Sequence, residues 1–257
     1  MNTQARVLTT LLAMALCAGT AHAQLAPTDG APGGAQTLPR GVSGLGLILR
    51  PTAYGITDRI QLGSQLLPLL LAMPNAEVKL RALDGAHVDV TARASYLHSF
   101  YLVSTGVLAG ELIGAVNSRT GSGFGLKVGA ARSFVFGDGE ADLGPFSLQA
   151  RGATSVTFGA YAEVALSRAD LVYASADFSR GLVEPTNVKV NGLAADDLRW
   201  DVRVMYGHAW KKFRLGAGLV HTRAMLDNRD PADPADDDRE PPALPVYPML
   251  DLWWRFN

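Results

Sequence analysis

The sequence predicts an all-β protein: an antiparallel, up-and-down transmembrane β-barrel of about twelve strands, with ten as the fallback. Three observations indicate this fold class. Polar and apolar residues alternate along most of the 257-residue chain, as they do in strands with two different faces. The polar positions carry charges of both signs and several glycines, which suits a wet or side-chain-filled lumen. The connections between the alternating segments are short and long in turn, as at the two ends of a membrane barrel.

Composition and charge limit the classes of function. Hydrophobic residues make up 48% of the chain and charged residues 18%, a low charged fraction for a soluble domain. The net charge of −1 gives no electrostatic reason to expect a nucleic-acid partner. Beyond the N-terminus no apolar run reaches the roughly 18 residues that a membrane helix needs. If this chain crosses a membrane, it is therefore expected to do so in strands.

The N-terminus has the three parts of a secretory signal peptide. Arg6 supplies the positive charge, residues 7–18 form an apolar core, and an A-x-A motif ends at Ala23. We therefore expect a signal peptide over 1–23 that is cleaved after Ala23. The only cysteine, Cys17, lies inside it, so the mature protein would be exported without disulfides.

Residues 24–43 separate the signal peptide from the alternating part of the chain. They are rich in glycine and proline and show no period. This composition predicts a flexible leader. The barrel is then expected to comprise residues 44–257.

Eleven segments with a period of two predict strands. In each, the apolar residues fall on one face and the polar residues on the other. The first hairpin is the clearest: in YGITDRIQLG, at 54–63, the polar turn Thr57–Arg59 joins two alternating arms. The predicted strands are 44–56, 59–67, 76–83, 88–96, 107–118, 123–136, 155–166, 172–179, 199–210, 213–219 and 250–257.

Short and long connections alternate between these strands. The short ones are Thr57–Arg59, Asp84–Ala86, Arg119–Ser122, Ser167–Asp170 and Lys211–Lys212. The long ones lie near 67–75, 97–106, 136–153, 180–198 and 225–245. A single-chain bacterial barrel normally has an even number of strands, so a twelfth is expected at either 36–42 or 146–151. The first is preferred, because a strand at 146–151 would break the alternation of connection lengths.

Aromatic residues on the apolar face predict a belt at the membrane interface. Trp200 and Trp210 share a face ten residues apart, which is roughly 33 Å along a strand at about 3.3 Å per residue. At a tilt of about 40° this projects to roughly 25 Å, the height of the apolar band of membrane barrels. The predicted lipid-facing belt consists of Trp200, Trp210, Phe213, Trp254 and Phe256.

Charged residues on the polar face predict the lining of the lumen. They could line an open or gated channel, whose ion selectivity would be modest because both signs are present. Alternatively, they pair across strands and fill a closed barrel. The predicted lumen-lining residues are Glu77, Lys79, Arg81, Asp89, Arg93, Glu111, Lys127, Glu163, Asp177, Asp201 and Arg203.

The first hairpin and the C-terminus carry a resemblance to a known class of protein. Residues 55–59 (GITDR) match the periplasmic turn G-[IL]-T-[DE]-[RK], and MLDLWWRFN at 249–257 alternates and carries Phe256 next to the last residue. Together with the signal peptide, these features resemble Gram-negative outer-membrane β-barrel proteins over roughly 44–257 as a pattern. The resemblance implies an outer-membrane location, contact with outer-membrane lipid, and recognition of the last strand by the barrel assembly machinery.

The expected function follows from this fold class. We expect a passive, porin-like channel for small solutes or ions. Two alternatives stay open: a closed structural or surface-display barrel without transport, and a soluble periplasmic β-barrel that binds an apolar ligand. Replacing Arg81 or Arg93 by Asp should alter ion selectivity only if these residues line a conducting lumen.

Catalytic residues are not apparent in the sequence. His98 and Ser99 are adjacent and would point to opposite faces of a strand, unlike the His-x-Ser pattern of an outer-membrane phospholipase. His208 and His221 lie on apolar faces near strand ends and are interpreted as interfacial. We expect neither an enzyme nor a cofactor.

An acidic segment in the longest predicted loop is the strongest charge feature. The segment 227–240 has seven carboxylates against two arginines but lacks the spacing of an EF-hand. A solvated extracellular loop accounts for it, and weak divalent-cation binding is the alternative. The candidate ligands are Asp230, Asp233, Asp236, Asp237 and Asp238.

Overall fold

The protein is a closed barrel of twelve antiparallel strands in the computed structural model. The structure describes residues 33–85, 87–100, 104–117, 122–136, 140–142, 147–149, 154–182, 198–222 and 246–256. Each strand pairs with its neighbour in the chain, and the last pairs with the first. The predicted all-β, up-and-down barrel of twelve strands is confirmed. The signal peptide at 1–23 and the acidic loop at 225–245 lie outside the described residues.

Fourteen strands and one short helix make up the described secondary structure. The short strands β8 and β9 pair only with each other, and the other twelve form the barrel. The strands are β1 Ser43–Gly46, β2 Thr52–Gly55, β3 Ile60–Ser64, β4 Asn75–Asp84, β5 Val88–Ser99, β6 Thr105–Asn117, β7 Gly123–Val135, β8 Glu140–Asp142, β9 Ser147–Gln149, β10 Thr154–Ala165, β11 Asp170–Leu182, β12 Arg199–Trp210, β13 Phe213–Thr222 and β14 Val246–Phe256; the helix is α1 Leu66–Leu70.

The twelfth strand does not come from either predicted segment. The single strand predicted at 44–56 is a hairpin of β1 and β2, because the chain at 47–51 folds inward to bind Asp251. Residues 36–42 contain no strand, and β9, within 146–151, belongs to the separate two-stranded sheet. Both predictions for the twelfth strand were therefore wrong, although the total was right.

The described part of the predicted leader lies inside the barrel. Residues 33–42, which we call the lumen segment, donate and accept hydrogen bonds with side chains on the inner wall. In this part of the predicted leader, lumen side chains replace water as partners for several backbone groups. The sequence pattern showed the lack of a period but not these partners.

The two faces of the barrel wall are inverted relative to a soluble protein. In β4, Val78 and Leu80 are 43% and 45% exposed, whereas Lys79 between them is 6% exposed. The same alternation recurs around the barrel, with exposed apolar residues such as Leu112, Leu126 and Val204 facing outward. Charged side chains face the lumen, and an apolar surface covers the outside.

The connections sort by length between the two ends of the barrel. Residues 56–59, 85–87, 118–122, 166–169 and 211–212 join strands at one end, the short-connection end. The long-connection end has 65–74, 100–104, 136–153, 183–198 and 223–245, together with the β1–β2 turn at 47–51.

One connection contains the helix α1. β3 ends at Ser64, three residues before the predicted end of that strand, and α1 follows within a leucine-rich stretch that leaves Leu70 69% exposed. Pro68 lies within α1. Because proline has no N–H to donate to a strand ladder, it disfavours continuing β3 through this position. No helix among the described residues is long and apolar enough to cross a membrane.

Candidate functional site: the barrel lumen

A polar cavity opens at the long-connection end of the lumen. It has a volume of about 510 Å³ and is called the vestibule here. Gly33, the first described residue of the lumen segment, lies in its lining. Its charged lining residues are Arg93, Glu111, Lys127, Asp177, Asp201 and Arg203, joined by Arg199.

Strands of the barrel wall hold charges of the vestibule in opposite-sign pairs. Arg93 and Glu111 are directly opposite in the register of β5 and β6, and Arg93 Nη2 lies 2.7 Å from Glu111 Oε2. Lys127 on β7 pairs with Asp177 on β11 across Gly159, which leaves room between them. Charge pairs at close range and out of bulk water attract strongly, so these side chains are held in defined positions along the wall.

A second group of charges lies nearer the short-connection end. Arg81 Nη2 lies 2.6 Å from Asp89 Oδ1 and 2.8 Å from Asp84 Oδ1. Asp89 is 2% exposed, and this guanidinium lies against its carboxylate and stabilises the charge. All eleven residues predicted to line the lumen are buried or half-buried on the inner wall.

An apolar cluster fills one side of the lumen below the vestibule. Its members occupy the polar phase of their strands, where alternation predicts polar side chains, so the cluster was not predicted. Bulky apolar residues in that phase were the available signal. Tyr173 donates its hydroxyl to Met205 Sδ. The cluster consists of Ile113, Ala115, Tyr161, Leu171, Tyr173 and Met205, with Ala35 of the lumen segment against it.

Tyr161 fits into this cluster because Gly125 lies directly opposite it on β7. A Cβ added at Gly125 would lie 2.2 Å from Tyr161 Cε1. We expect Gly125→Ala to lower the free energy of unfolding by about 1–3 kcal/mol through overpacking, measured by urea titration in detergent micelles. Gly110→Ala is the matched control, since no atom lies within 4 Å of that Cβ. Equal stability of the two variants would contradict the packing of Tyr161 over Gly125.

Wall side chains hold the lumen segment through its backbone. Lys79 Nζ donates to Gly34 O at 2.6 Å and to Gln36 O at 2.9 Å. Tyr161 OH accepts from Ala35 N at 3.1 Å, while Thr91 Oγ1 donates to Ala35 O. Ala35 therefore links β10 to β5 across the inner surface of β7 and β6, which lie between them in the wall.

The GITDR turn holds the other end of the lumen segment. Thr57 Oγ1 accepts from Ile60 N at 3.0 Å and closes the turn. Asp58 accepts from Thr37 Oγ1 at 2.8 Å through its carbonyl and from Arg40 N at 2.9 Å through its carboxylate. A Cβ at Gly55 would lie 2.1 Å from Pro39 O, so glycine is needed there for the segment to pass. This motif thus both turns the chain and anchors the lumen segment.

The wall beside the apolar cluster is polar, since Thr91 on β5 is directly opposite Ile113 of the cluster in the register of β5 and β6. β3, β4 and β5 present Gln61, Glu77, Lys79, Asp89 and Thr91, all buried, and we call this surface the polar lane. The lumen segment lies between the lane and the cluster, because Lys79, Thr91 and Gln61 contact it on one side and Tyr161 on the other. At this level the segment lies against both the apolar cluster and the polar lane and occupies part of the lumen.

The β1–β2 turn adds to the filling of the lumen. Leu49 N donates to Asp251 Oδ1 at 3.2 Å, and Arg50 Nε donates to Asp251 Oδ2 at 3.0 Å. The Arg50 guanidinium also lies 4.0 Å from the ring centroid of Trp253. Asp251 is fully buried, so its charge is balanced by this one arginine.

Aromatic side chains contact one another near both ends of the outer face. Near the short-connection end Trp210 stacks on Phe213 at 5.6 Å, and Phe213 lies 4.9 Å from Trp254 between ring centroids. Phe256 is outward and exposed on β14. Near the other end Trp200 stacks on His221 at 6.3 Å. The five residues of the predicted belt thus lie on the outer face at two levels.

A histidine–aspartate contact that the sequence analysis missed lies at the short-connection end. His208 Nδ1 is 2.6 Å from Asp170 Oδ1, and Tyr206 and Ser167 donate to the same carboxylate. The serine hydroxyl therefore points at the carboxylate rather than at the imidazole. This order of contacts does not activate a nucleophile; it ties the Ser167–Asp170 turn to β12.

Metal ligands are not grouped in the described part of the chain: no cluster of three or more His, Asp or Glu side chains there could hold an ion. The five aspartates proposed for divalent cations, Asp230 to Asp238, lie outside the described residues. No family model, curated protein or solved structure matches this chain.

Proposed function

We propose that the protein is an outer-membrane channel for small polar solutes or ions, which its own lumen segment closes at rest. The observation that carries the proposal is the inversion of the barrel: an apolar outer face and a charged inner wall. In water such a surface exposes far more contiguous apolar area than a soluble monomer tolerates. In a bilayer the same surface is solvated by lipid.

Export and insertion complete this proposal. A signal peptide cleaved after Ala23 would direct the chain out of the cytoplasm, and the alternating β14 would be the strand that the barrel assembly machinery recognises. The short-connection end would face the periplasm and the long-connection end the outside. Outer-membrane lipid would then contact the exposed apolar positions of all twelve barrel strands.

A gated path is supported by the kind of contacts that the lumen segment makes. Its described contacts to the polar lane are hydrogen bonds that Lys79 and Thr91 donate and one that Gln61 accepts from Leu38 N. If the segment moved, these groups would be left facing a polar passage that water can solvate. The passage would then continue into the vestibule. Because Lys79 and Arg81 lie beside Glu77 and Asp89 in this path, its ion selectivity should be modest.

A disulfide lock tests this mechanism. Ala35 and Thr91 adjoin through a hydrogen bond, so the double variant Ala35→Cys/Thr91→Cys should link the segment to the wall on oxidation. We expect oxidised protein in planar bilayers to show no openings and the same protein after reduction to conduct. The mature chain would otherwise have no cysteine. Each single-cysteine variant serves as a control, whose conductance should be the same under oxidising and reducing conditions.

The outcomes separate the alternatives. Equal conductance of the disulfide-linked and reduced forms, with the link verified by mass spectrometry, would refute closure by the segment. If neither the oxidised nor the reduced protein conducts, nor any single-cysteine variant, the second candidate is favoured: a closed structural barrel. The apolar cluster around Tyr173 and Met205 supports that candidate. A soluble barrel for an apolar ligand is the least supported, since the vestibule is lined mainly by charged and polar groups.

A further inference from the structure

The outer face of the barrel carries very few charges. Among the outward positions of the twelve described barrel strands, only Arg132, Arg180 and Asp170 have charged side chains. Asp170 lies at the short-connection end, bonded to His208 and Tyr206. Both arginines lie at the long-connection end and are exposed. An otherwise apolar surface thus concentrates two positive charges at one level.

The registers of three consecutive strands bring these two arginines together. Arg132 on β7 is opposite Thr154 on β10, and Arg180 on β11 is opposite Val156, the next outward residue of β10. Two strand spacings and a shift of two residues separate their Cα atoms by on the order of 12 Å. Two long, flexible side chains can close on one headgroup across that distance.

Neighbouring groups place one of the arginines over the wall. Arg132 Nη1 donates to Thr154 Oγ1 at 2.8 Å, and its guanidinium carbon lies 5.8 Å from the ring centroid of Phe134. Its contact with Thr154 uses one of five N–H donors. The fork of the guanidinium is suited to the bidentate hydrogen bonds that a phosphate group accepts.

An aromatic group lies directly below the arginines and sets their depth. Phe158 and Phe178 are paired in register and stack at 5.1 Å with an interplanar angle of 11°. Phe178 is opposite Trp200 in β12, and Arg180 is the next outward residue beyond Phe178. Aromatic rings favour the interface between headgroups and acyl chains. Arg180 therefore lies just beyond the level of Phe178, and Arg132 lies between that level and Phe134 near the end of β7. Both positions fit the level of lipid headgroups.

We propose that Arg132 and Arg180 form a binding site for an anionic lipid with a phosphomonoester headgroup, whose acyl chains lie along Phe158 and Phe178. The site rests on the proposed membrane setting but not on conductance. An arginine at a membrane interface can also extend into water without a specific partner. The proposed site differs from that case by its preference for a phosphomonoester headgroup and its need for both guanidinium groups.

Lipid retention by the full mature chain tests the site. Protein would be reconstituted into phosphatidylcholine vesicles containing equal amounts of phosphatidic acid and phosphatidylserine, then extracted for native mass spectrometry of bound lipid. We expect preferential retention of phosphatidic acid. Arg132→Gln and Arg180→Gln should each lower it roughly tenfold, because each loses a charge-assisted contact, and the double variant should lose the preference.

A matched substitution at the other end of the barrel controls for net charge. Arg168→Gln removes an exposed arginine from the turn after β10 and should retain lipid as the parent does. Inserted barrels in which all variants retain phosphatidic acid equally would overturn the lipid site while leaving the channel proposal intact. Competition by millimolar inorganic phosphate would indicate a free-phosphate site and overturn the lipid. A chain that stays outside the vesicles, scored by its unshifted gel migration with and without boiling, would overturn both proposals.

Discussion

Replacing Lys79 by methionine is expected to raise the frequency of open events of a barrel that is otherwise closed. Lys79 supplies two charge-assisted hydrogen bonds to the carbonyls of Gly34 and Gln36. Hydrogen bonds to charged groups contribute about 1.5–3 kcal/mol each, so their loss should weaken the hold on the segment by about 3 kcal/mol or more. Because about 1.4 kcal/mol is tenfold in an equilibrium, open events should rise about a hundredfold in planar bilayers.

A labelling experiment gives the same prediction a second readout. Ala35→Cys alone is a reporter inside the lumen, since Ala35 is fully buried. Its reaction with a membrane-impermeant maleimide should be slow in the parent and fast with Lys79→Met added. The wall itself should stay folded, because the Lys79 side chain donates to the lumen segment and the backbone pairing of residue 79 with its neighbouring strands is unchanged.

A second lumen lysine provides the control. Lys127 is as buried as Lys79 but pairs with Asp177 on the wall. Lys127→Met should therefore alter the vestibule charge without raising the labelling rate at position 35. If both lysine variants open the barrel equally, general loss of lumen charge is responsible and the specific role of Lys79 is wrong.

Replacing Val204 by arginine is expected to block insertion into the bilayer. Val204 is 54% exposed on the outer face, between Trp200 and Trp210 on β12. A charged residue at the midplane of a membrane barrel costs about 2–4 kcal/mol. We expect folded yield in vesicles, measured by heat-dependent gel migration, to fall sharply. In a barrel that faces water, the same surface substitution would change stability by only about 0.5 kcal/mol.

Depth provides the control for this substitution. Leu182 is also outward and 49% exposed, but it ends β11, beyond the level of Phe178. Near the interface the cost of arginine falls to about 0–1 kcal/mol, so Leu182→Arg should insert almost normally, and Val204→Leu should insert fully. Equal yields for both arginine variants would contradict the membrane setting.

Much of the wall could be predicted because strand alternation is a local property. Side chains in a strand point alternately to two faces, so Val78, Lys79 and Leu80 already fix which face is polar. The parity of connection lengths indicated two different ends, and the GITDR turn located the first hairpin. These features involve residues close in the chain, and each was recognisable without a partner.

The strand count was right for a reason that the sequence analysis did not identify. The segment 44–56 alternates well enough to predict one strand. It is a hairpin because Arg50 and the backbone of Leu49 bind Asp251, two hundred residues later in the chain. No local pattern in 44–56 shows that the turn at 47–51 binds the buried Asp251. The break between β1 and β2 therefore depends on a contact with a strand near the other end of the sequence.

The sequence by itself determined an alternating chain with an apolar face, a charged face and two unlike ends. Only the tertiary structure decided that residues 33–42 fill the lumen, that Tyr161 and Met205 belong to an inner cluster, and that Arg132 and Arg180 share one outer level. The physical reason is the same in each case. Alternation fixes the direction of a side chain, whereas its partner is set by the register of strands that closure of the barrel brings together.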